Sequence, residues 1–263
     1  MEVSSYVRPR SLDEAYTLLT QKNAFVIGGG AWSRMSLRRV ETAIDLSLLN
    51  LRFIKETDTY IEIGAMTTAR ELETSSELEK TFGSLFKDTV AHIVGVQMRN
   101  IVTIGGTVAG KYGFSDLNTT LLALNARILP YNGEAVDFEQ FLLEPHKEAF
   151  LIEKIVIDTV DTKGAFQSIR NTQGDFSILN VAAAKAGGSW RIAVGARPGA
   201  ARLAKNGAKL LENRDKISLE LAEEAARKAA LELSFGKDLR ADAAYRQSVC
   251  LPLVRRAVME VAK

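Results

Sequence analysis

Two glycine clusters set the tightest limit on this chain. Gly28-Gly29-Gly30 follows the apolar run Phe25-Val26-Ile27, and Gly105-Gly106 follows Thr103-Ile104 about 75 residues later. Glycine has no Cβ, so its backbone can approach a ligand closely and turn successive N–H groups toward a phosphate. A single cluster reads as a tight turn. Two of them, each read as following a strand, can grip a diphosphate from two sides.

Neither cluster completes a familiar nucleotide motif. Gly28 to Ser33 begins like a dinucleotide fingerprint with Asp45 downstream, but Ser33 stands where the third glycine belongs. Arg34, Arg38 and Arg39 also interrupt the expected apolar helix face. Gly105 to Lys111 is spaced like a Walker loop, yet Tyr112 stands where a Ser or Thr must hold magnesium. A Rossmann unit and a nucleotide hydrolase are therefore both set aside.

The rest of the chain reads as a mixture of helices and strands. Ser11 to Glu14 forms a capping box that opens a helix through about Thr20, and Thr68 to Glu71 forms a second. Ala43 to Leu46 reads as a strand, and Tyr60 to Gly64 alternates at period two like a half-buried strand. Phe82 to Val94 suggests one helix, Thr103 to Thr107 a glycine turn, and Leu117 to Ala126 a helix followed by a strand at Arg127-Ile128-Leu129. Beyond Pro145, strands are expected at Leu151 to Ile157, Ala165 to Arg170 and Trp190 to Val194. Leu219 to Leu233 carries a stripe of Leu221, Ala225, Ala229 and Leu233, with Gly236 as a stop. Pro252 should kink or divide the last helical stretch, Ala241 to Val261. The pattern is α+β in two parts, divided at roughly residues 150 to 165.

Composition excludes several chemistries. A formal net charge of +2 over 263 residues gives no electrostatic reason to expect nucleic acid. The sequence shows no apolar run of membrane-spanning length and no secretory leader at Met1 to Tyr6, so a cytoplasmic location is expected. Cys250 is the single cysteine, which excludes an intramolecular disulfide and a four-thiolate iron–sulfur cluster. His92 and His146 have no neighbours at metal-ligand spacing, so neither a zinc site nor a histidine triad is expected. No side chain reads as a catalytic acid, base or nucleophile. The chemistry is assigned to a bound cofactor.

Read in order, several stretches resemble one family. They are Tyr6 to Ala15, Phe25 to Trp32, Ile63 to Thr68 and above all Gln97 to Thr107. Ser115-Asp116-Leu117, Leu121 to Ala126, and the C-terminal Tyr245-Arg246 with Leu253 to Ala257 continue the match. Nearly the whole chain resembles the FAD-binding subunit of molybdenum hydroxylases, the family that includes xanthine dehydrogenase and carbon monoxide dehydrogenase.

The resemblance implies a two-subdomain FAD-binding fold of the vanillyl-alcohol-oxidase type over residues 1–155, split near 55, with a smaller α+β domain over 160–263. It implies that Phe25, Val26, Ile27, Gly28, Gly29, Gly30, Ala31 and Trp32 form the first flavin loop, and that Thr103, Ile104, Gly105, Gly106 and Thr107 form the second. Asp116 is expected to accept hydrogen bonds from a hydroxyl-rich part of FAD, or else to cap a helix. Ile93 and Ile152 match positions lining the apolar surface of the site, and either can equally be a core residue. No histidine or cysteine lies in either loop, so FAD is expected to be held noncovalently.

The chain departs from the family pattern at Gly30-Ala31-Trp32, where a hydroxyl or imidazole is usual, and at Gly110 to Phe114. Trp32 either stacks near the flavin or fills a core gap. Lys111, Tyr112 and Phe114 suggest either an exposed partner-binding face or a local surface loop with one aromatic buried, and Asp175-Phe176-Ser177 only partly matches the signature of the second domain. The implied function is an electron relay between a 2Fe–2S small subunit, beside a molybdopterin-binding large subunit, and NAD or another acceptor. The alternatives are a stand-alone flavin oxidoreductase and an assembly subunit that has lost FAD.

Overall fold

A computed structural model describes residues 1–145, 149–214 and 216–263, so His146 lies outside the described residues. The chain opens with three parallel strands, β1 (Glu2–Val7), β2 (Ala24–Ile27) and β3 (Arg39–Asp45), in the order β1-β3-β2. Helix α1 (Leu12–Leu19) makes the crossover and buries Ala15 beside Ile44 and Leu46. Ser11 Oγ accepts from the Glu14 N–H at 3.1 Å, as the capping pattern requires. The Glu14 carboxylate, however, accepts from the Arg10 N–H at 2.7 Å, one residue outside the reciprocal box.

The second sheet is antiparallel, with β4 (Ile54–Glu56), β5 (Tyr60–Gly64), β6 (Arg127–Pro130), β7 (Val136–Asp137) and β8 (Ile152–Asp158) in the order β4-β5-β8-β6-β7. The connection from β5 to β6 holds α2 (Ala69–Thr74), α3 (Ser76–Phe82), α4 (Leu85–Val90), α5 (Val96–Arg99), α6 (Ile104–Gly110) and α7 (Asp116–Ala123). Helix α8 (Phe138–Leu143) follows β7. The Thr68–Glu71 box before α2 is fully reciprocal. The stretch expected to be one helix from Phe82 is broken instead. Gly83 adopts φ +61°, and its N–H bonds Glu79 O, which ends α3 before α4 begins.

The third sheet is antiparallel, with β9 (Thr162–Ile169), β10 (Leu179–Ala186), β11 (Ser189–Gly195) and β12 (Arg202–Leu203) in the order β12-β11-β10-β9. Both of its faces are covered. Val181 and Ala183 of β10 enter the core under α9 (Lys205–Lys209), α10 (Leu219–Glu232) and α11 (Ala243–Val261), while Ala182 and Ala184 enter the core shared with α4 and α7. Successive residues of a strand point to opposite faces, so a sheet buried on both sides requires the unbroken apolar run seen at Val181 to Ala184. Helix α10 buries Ala222, Ala225, Ala226, Ala229 and Ala230, so the inferred stripe is shifted and its flanking Leu221 and Leu233 are only half-buried.

Helix α11 runs through Pro252 without ending. Cys250 before the proline and Leu253, Val254 and Ala257 after it are buried in one core, and that packing offsets the missing backbone bond. Burial pushes the Cys250 thiol up to about 12, so at neutral pH it is protonated. Among the described residues, no helix is long and apolar enough to cross a membrane.

Candidate functional site

The two glycine clusters meet. A Cβ on Gly28 would lie 2.5 Å from Thr103 Oγ1 and 3.6 Å from Gly106 Cα, and one on Gly29 would lie 1.3 Å from the Ile101 carbonyl oxygen. Gly30, at φ +70°, turns the chain out of β2 into a short 3-10 turn at Ser33–Met35. The main-chain N–H groups of residues 28 to 32 donate to no protein acceptor among the described residues, and none of these five residues is buried. Lying at or near the surface, these donors can be satisfied by water in the free chain, and five consecutive ones in a glycine-rich loop can turn to an anion in its place. The loop so forms a cradle whose donors are of the kind that can hold a diphosphate.

The second cluster differs from the expected turn after a strand. Thr103 caps α6 and makes only an isolated bridge with Thr68, so Gly105 and Gly106 occupy the first turn of the helix. The helix end is satisfied by protein. The Ile104 N–H bonds Thr67 O at 2.9 Å, Gly105 N–H bonds Ala65 O at 2.9 Å, Gly106 N–H bonds Thr103 Oγ1 at 3.2 Å, and Thr107 N–H bonds Thr103 O at 3.0 Å. Gly105 is buried against Ala65, while Gly106 is exposed opposite the first loop. The first loop therefore offers the donors, and the second offers a wall.

The two rejected motifs are structural. Asp45 caps a short turn, accepting from the Ser47 N–H at 2.8 Å and from the Tyr6 hydroxyl. Lys111, which caps α6 at φ +47°, donates to the carbonyls of Phe141 and, at 2.7 Å, Glu144. Burial lowers the Lys111 pKa, an effect opposed by the charge of Glu144. Of the two readings of the Lys111 to Phe114 loop, neither describes both rings: they are neither fully exposed nor is just one of them covered. Tyr112 and Phe114 are half-buried and turn inward to join Trp32 and Phe176, because their apolar area is better covered by other rings than by water. Burial raises the Tyr112 phenol. Trp32 itself is 46% exposed.

Asp116 opens α7, but Ser115 is its cap, accepting from the Asn118 N–H at 3.1 Å. The Asp116 carboxylate accepts from Ser177 Oγ and Asn180 Nδ2, each at 2.6 Å, and from Arg170 Nη2 at 2.5 Å. Asn180 Oδ1 in turn accepts from Thr119 Oγ1 at 2.8 Å. This network ties β9 and β10 to α7. Nothing local in the sequence links Asp116 to Arg170, Ser177 and Asn180; a lone Asn amid the apolar residues of β10 is the available signal.

Ile93 is half-buried and Ile152 is 5% exposed, and both pack into the core that includes Ile104 and Leu117. Arg99 steadies the Ile93 segment, donating to Ala91 O at 2.9 Å and to Glu73 at 2.7 and 3.2 Å. Phe25 and Val26 are half-buried on β2, with the Arg38 guanidinium 5.4 Å from the Phe25 ring centroid.

Comparison with known proteins agrees with this geometry. Residues 1–159 match the family described as the FAD binding domain in molybdopterin dehydrogenase, and residues 164–261 match the CO dehydrogenase flavoprotein C-terminal domain. The nicotine 6-hydroxylase medium subunit of Paenarthrobacter nicotinovorans is 25% identical over 97% of this chain and 96% of its own length. The glyceraldehyde dehydrogenase medium chain of Sulfolobus acidocaldarius is 27% identical over 98% of each. A chain of carbon monoxide dehydrogenase from Hydrogenophaga pseudoflava superposes with a TM-score of 0.87 at 25% identity, covering 98% of this chain and 96% of that one. With the family pattern spanning well over half its length, this α+β chain belongs to the FAD-binding subunits of molybdenum hydroxylases, and FAD is its cofactor.

Proposed function

We propose that the chain is the electron relay of a cytoplasmic, xanthine dehydrogenase-like molybdenum hydroxylase complex. In this reading, a small subunit with two 2Fe–2S clusters delivers the electrons and a large subunit holds the molybdopterin centre. NAD or another acceptor takes the electrons away. The carrying observation is the row of unpaired N–H groups at residues 28 to 32, in a loop that packs at Gly28 against Thr103 and Gly106. When bound there, FAD supplies one- and two-electron redox chemistry that no side chain of this protein provides.

The residues of the chain bind, orient and shield. Gly28 to Trp32 hold the diphosphate through main-chain donors, and Phe25 to Ile27 anchor that loop to the sheet. Thr103 to Thr107 close the opposite side. A carboxylate has about four lone-pair positions, so Asp116, with three protein donors, keeps room for one hydroxyl of the ligand. Ile93 and Ile152 provide apolar walls.

The single, buried Cys250 supports the need for a partner that carries clusters. Purified gently from its native source, the protein should co-migrate with a molybdenum-containing chain and an iron–sulfur chain. The isolated subunit should hold FAD yet oxidise hypoxanthine-like or aldehyde substrates poorly. Turnover of such a substrate by the lone chain at a useful rate would replace the relay with a stand-alone oxidoreductase.

A further inference from the structure

A four-ring cluster includes Trp32, the last residue of the proposed cradle, and its parts come from three separate loops. Trp32 belongs to the cradle itself. Tyr112 and Phe114 lie between α6 and α7, and Phe176 lies between β9 and β10. Their ring centroids stand 5.7, 5.6 and 6.0 Å from Trp32, at interplanar angles of 61°, 54° and 76°. No ring lies flat on the indole, and Trp32 remains 46% exposed. By contrast, Tyr112 and Phe114 stack on one another at 12°, and Phe114 and Phe176 stand 4.2 Å apart.

The supporting rings are held from behind. The Tyr112 ring covers Gly110, where a Cβ would come within 2.2 Å of it. The Arg240 guanidinium lies 5.0 Å from the Phe176 ring centroid and pairs with Asp175 at 3.4 Å. An apolar cluster formed only for packing would bury its largest ring. Here the smaller rings are the more buried, and the indole is presented beside unpaired phosphate donors.

We propose that Trp32 is a stacking platform for a planar ring of the bound dinucleotide, held in place by Tyr112, Phe114 and Phe176. The proposal rests on the siting of the diphosphate at residues 28 to 32. A dinucleotide carries a ring system on each side of its diphosphate, and adenine and isoalloxazine both offer the flat π-face that an indole takes. The cluster thereby replaces the hydroxyl or imidazole that Ala31 lacks with an apolar contact one residue further on.

The test uses the flavin-free full-length protein as wild type, Trp32→Phe and Trp32→Leu, titrated with FAD, ADP and FMN while tryptophan and flavin fluorescence are followed. The second tryptophan, Trp190, is 3% exposed in the other core and serves as an internal reference. FAD should quench the Trp32 emission. Trp32→Leu should raise the Kd for FAD roughly tenfold, the size of one base–aromatic stack, and Trp32→Phe clearly less. A loss that follows ADP assigns the platform to adenine, and a loss that follows FMN assigns it to isoalloxazine. Wild-type affinity of Trp32→Leu for all three ligands overturns the proposal. So does an equal loss in both variants with a lowered melting temperature, which would make Trp32 a packing residue. If the wild type binds none of the three, the siting of FAD fails as well.

Discussion

Replacing Asp116 with Ala should lower stability by about 3–5 kcal/mol, roughly 8–15 °C in melting temperature. The side chains of Asp116 and Arg170 are 6% and 7% exposed. Arg170 Nε already lacks a partner, and Nη1 reaches only Asp175 O at 2.9 Å. Removing the carboxylate leaves this cation buried and uncompensated, and it strips an acceptor from Ser177 and Asn180. The exposed Arg39–Glu2 pair, at 83% and 71%, sets the contrast, since breaking it should change stability by less than about 1 kcal/mol. Thermal unfolding of the flavin-free protein measures both. Adding Arg170→Met to Asp116→Ala should recover part of the loss, because the orphaned charge goes with it. A single Asp116→Ala variant that melts within about 2 °C of wild type would contradict this role.

Gly29→Ala should be comparably severe. Its Cβ would lie 1.3 Å from Ile101 O, 2.4 Å from Ile101 C and 3.2 Å from Ile101 Cα. All three are main-chain atoms, so no rotamer change relieves the clash and the two loops must separate. Overpacking costs about 1–3 kcal/mol and occasionally more, and a rigid backbone obstacle belongs at the upper end. FAD should be lost with the fold, because the cradle is displaced from its wall. Gly30→Ala acts differently. Its Cβ meets nothing nearer than Ile27 Cγ2 at 3.8 Å, but φ +70° costs an L-residue about 1–2 kcal/mol. Circular dichroism melts with flavin content separate the two. Wild-type melting and full flavin in Gly29→Ala would mean that the loops do not pack as described.

Features fixed by neighbouring residues were legible in the sequence. The alternation of β5, the reciprocal Thr68–Glu71 box and the strand–glycine junction at Ile27-Gly28 all appear where the local pattern puts them. What failed depends on distant partners. Two glycines are poor helix formers, so Thr103 to Thr107 read as a turn. The carbonyls of Ala65 and Thr67, nearly 40 residues upstream, complete the first turn of α6. Of the two expectations at Pro252, division of the helix does not occur, because of the core on both sides of it, which no window around the proline contains. The lock on Asp116 draws on Arg170, Ser177 and Asn180, more than 50 residues away, and the inward turn of Tyr112 and Phe114 needs Trp32 and Phe176. Local rules see the cradle. They do not see what closes it.

Gly106 tests the siting of FAD most directly, because it can be altered with little harm to the fold. It is exposed toward the first loop, and a Cβ there would meet only the Thr103 hydroxyl, at 2.9 Å. Gly106→Val should therefore intrude on the diphosphate at no greater cost to the fold than a shift of the Thr103 cap. Flavin-free wild type and Gly106→Val should be titrated with FAD, and their melting temperatures compared. Wild type should bind one FAD per chain, and Gly106→Val should lose most of that binding while its melting temperature falls by no more than about 4 °C, the cost of shifting the Thr103 cap. Full FAD occupancy in a normally melting Gly106→Val protein would contradict a diphosphate held between the two glycine segments.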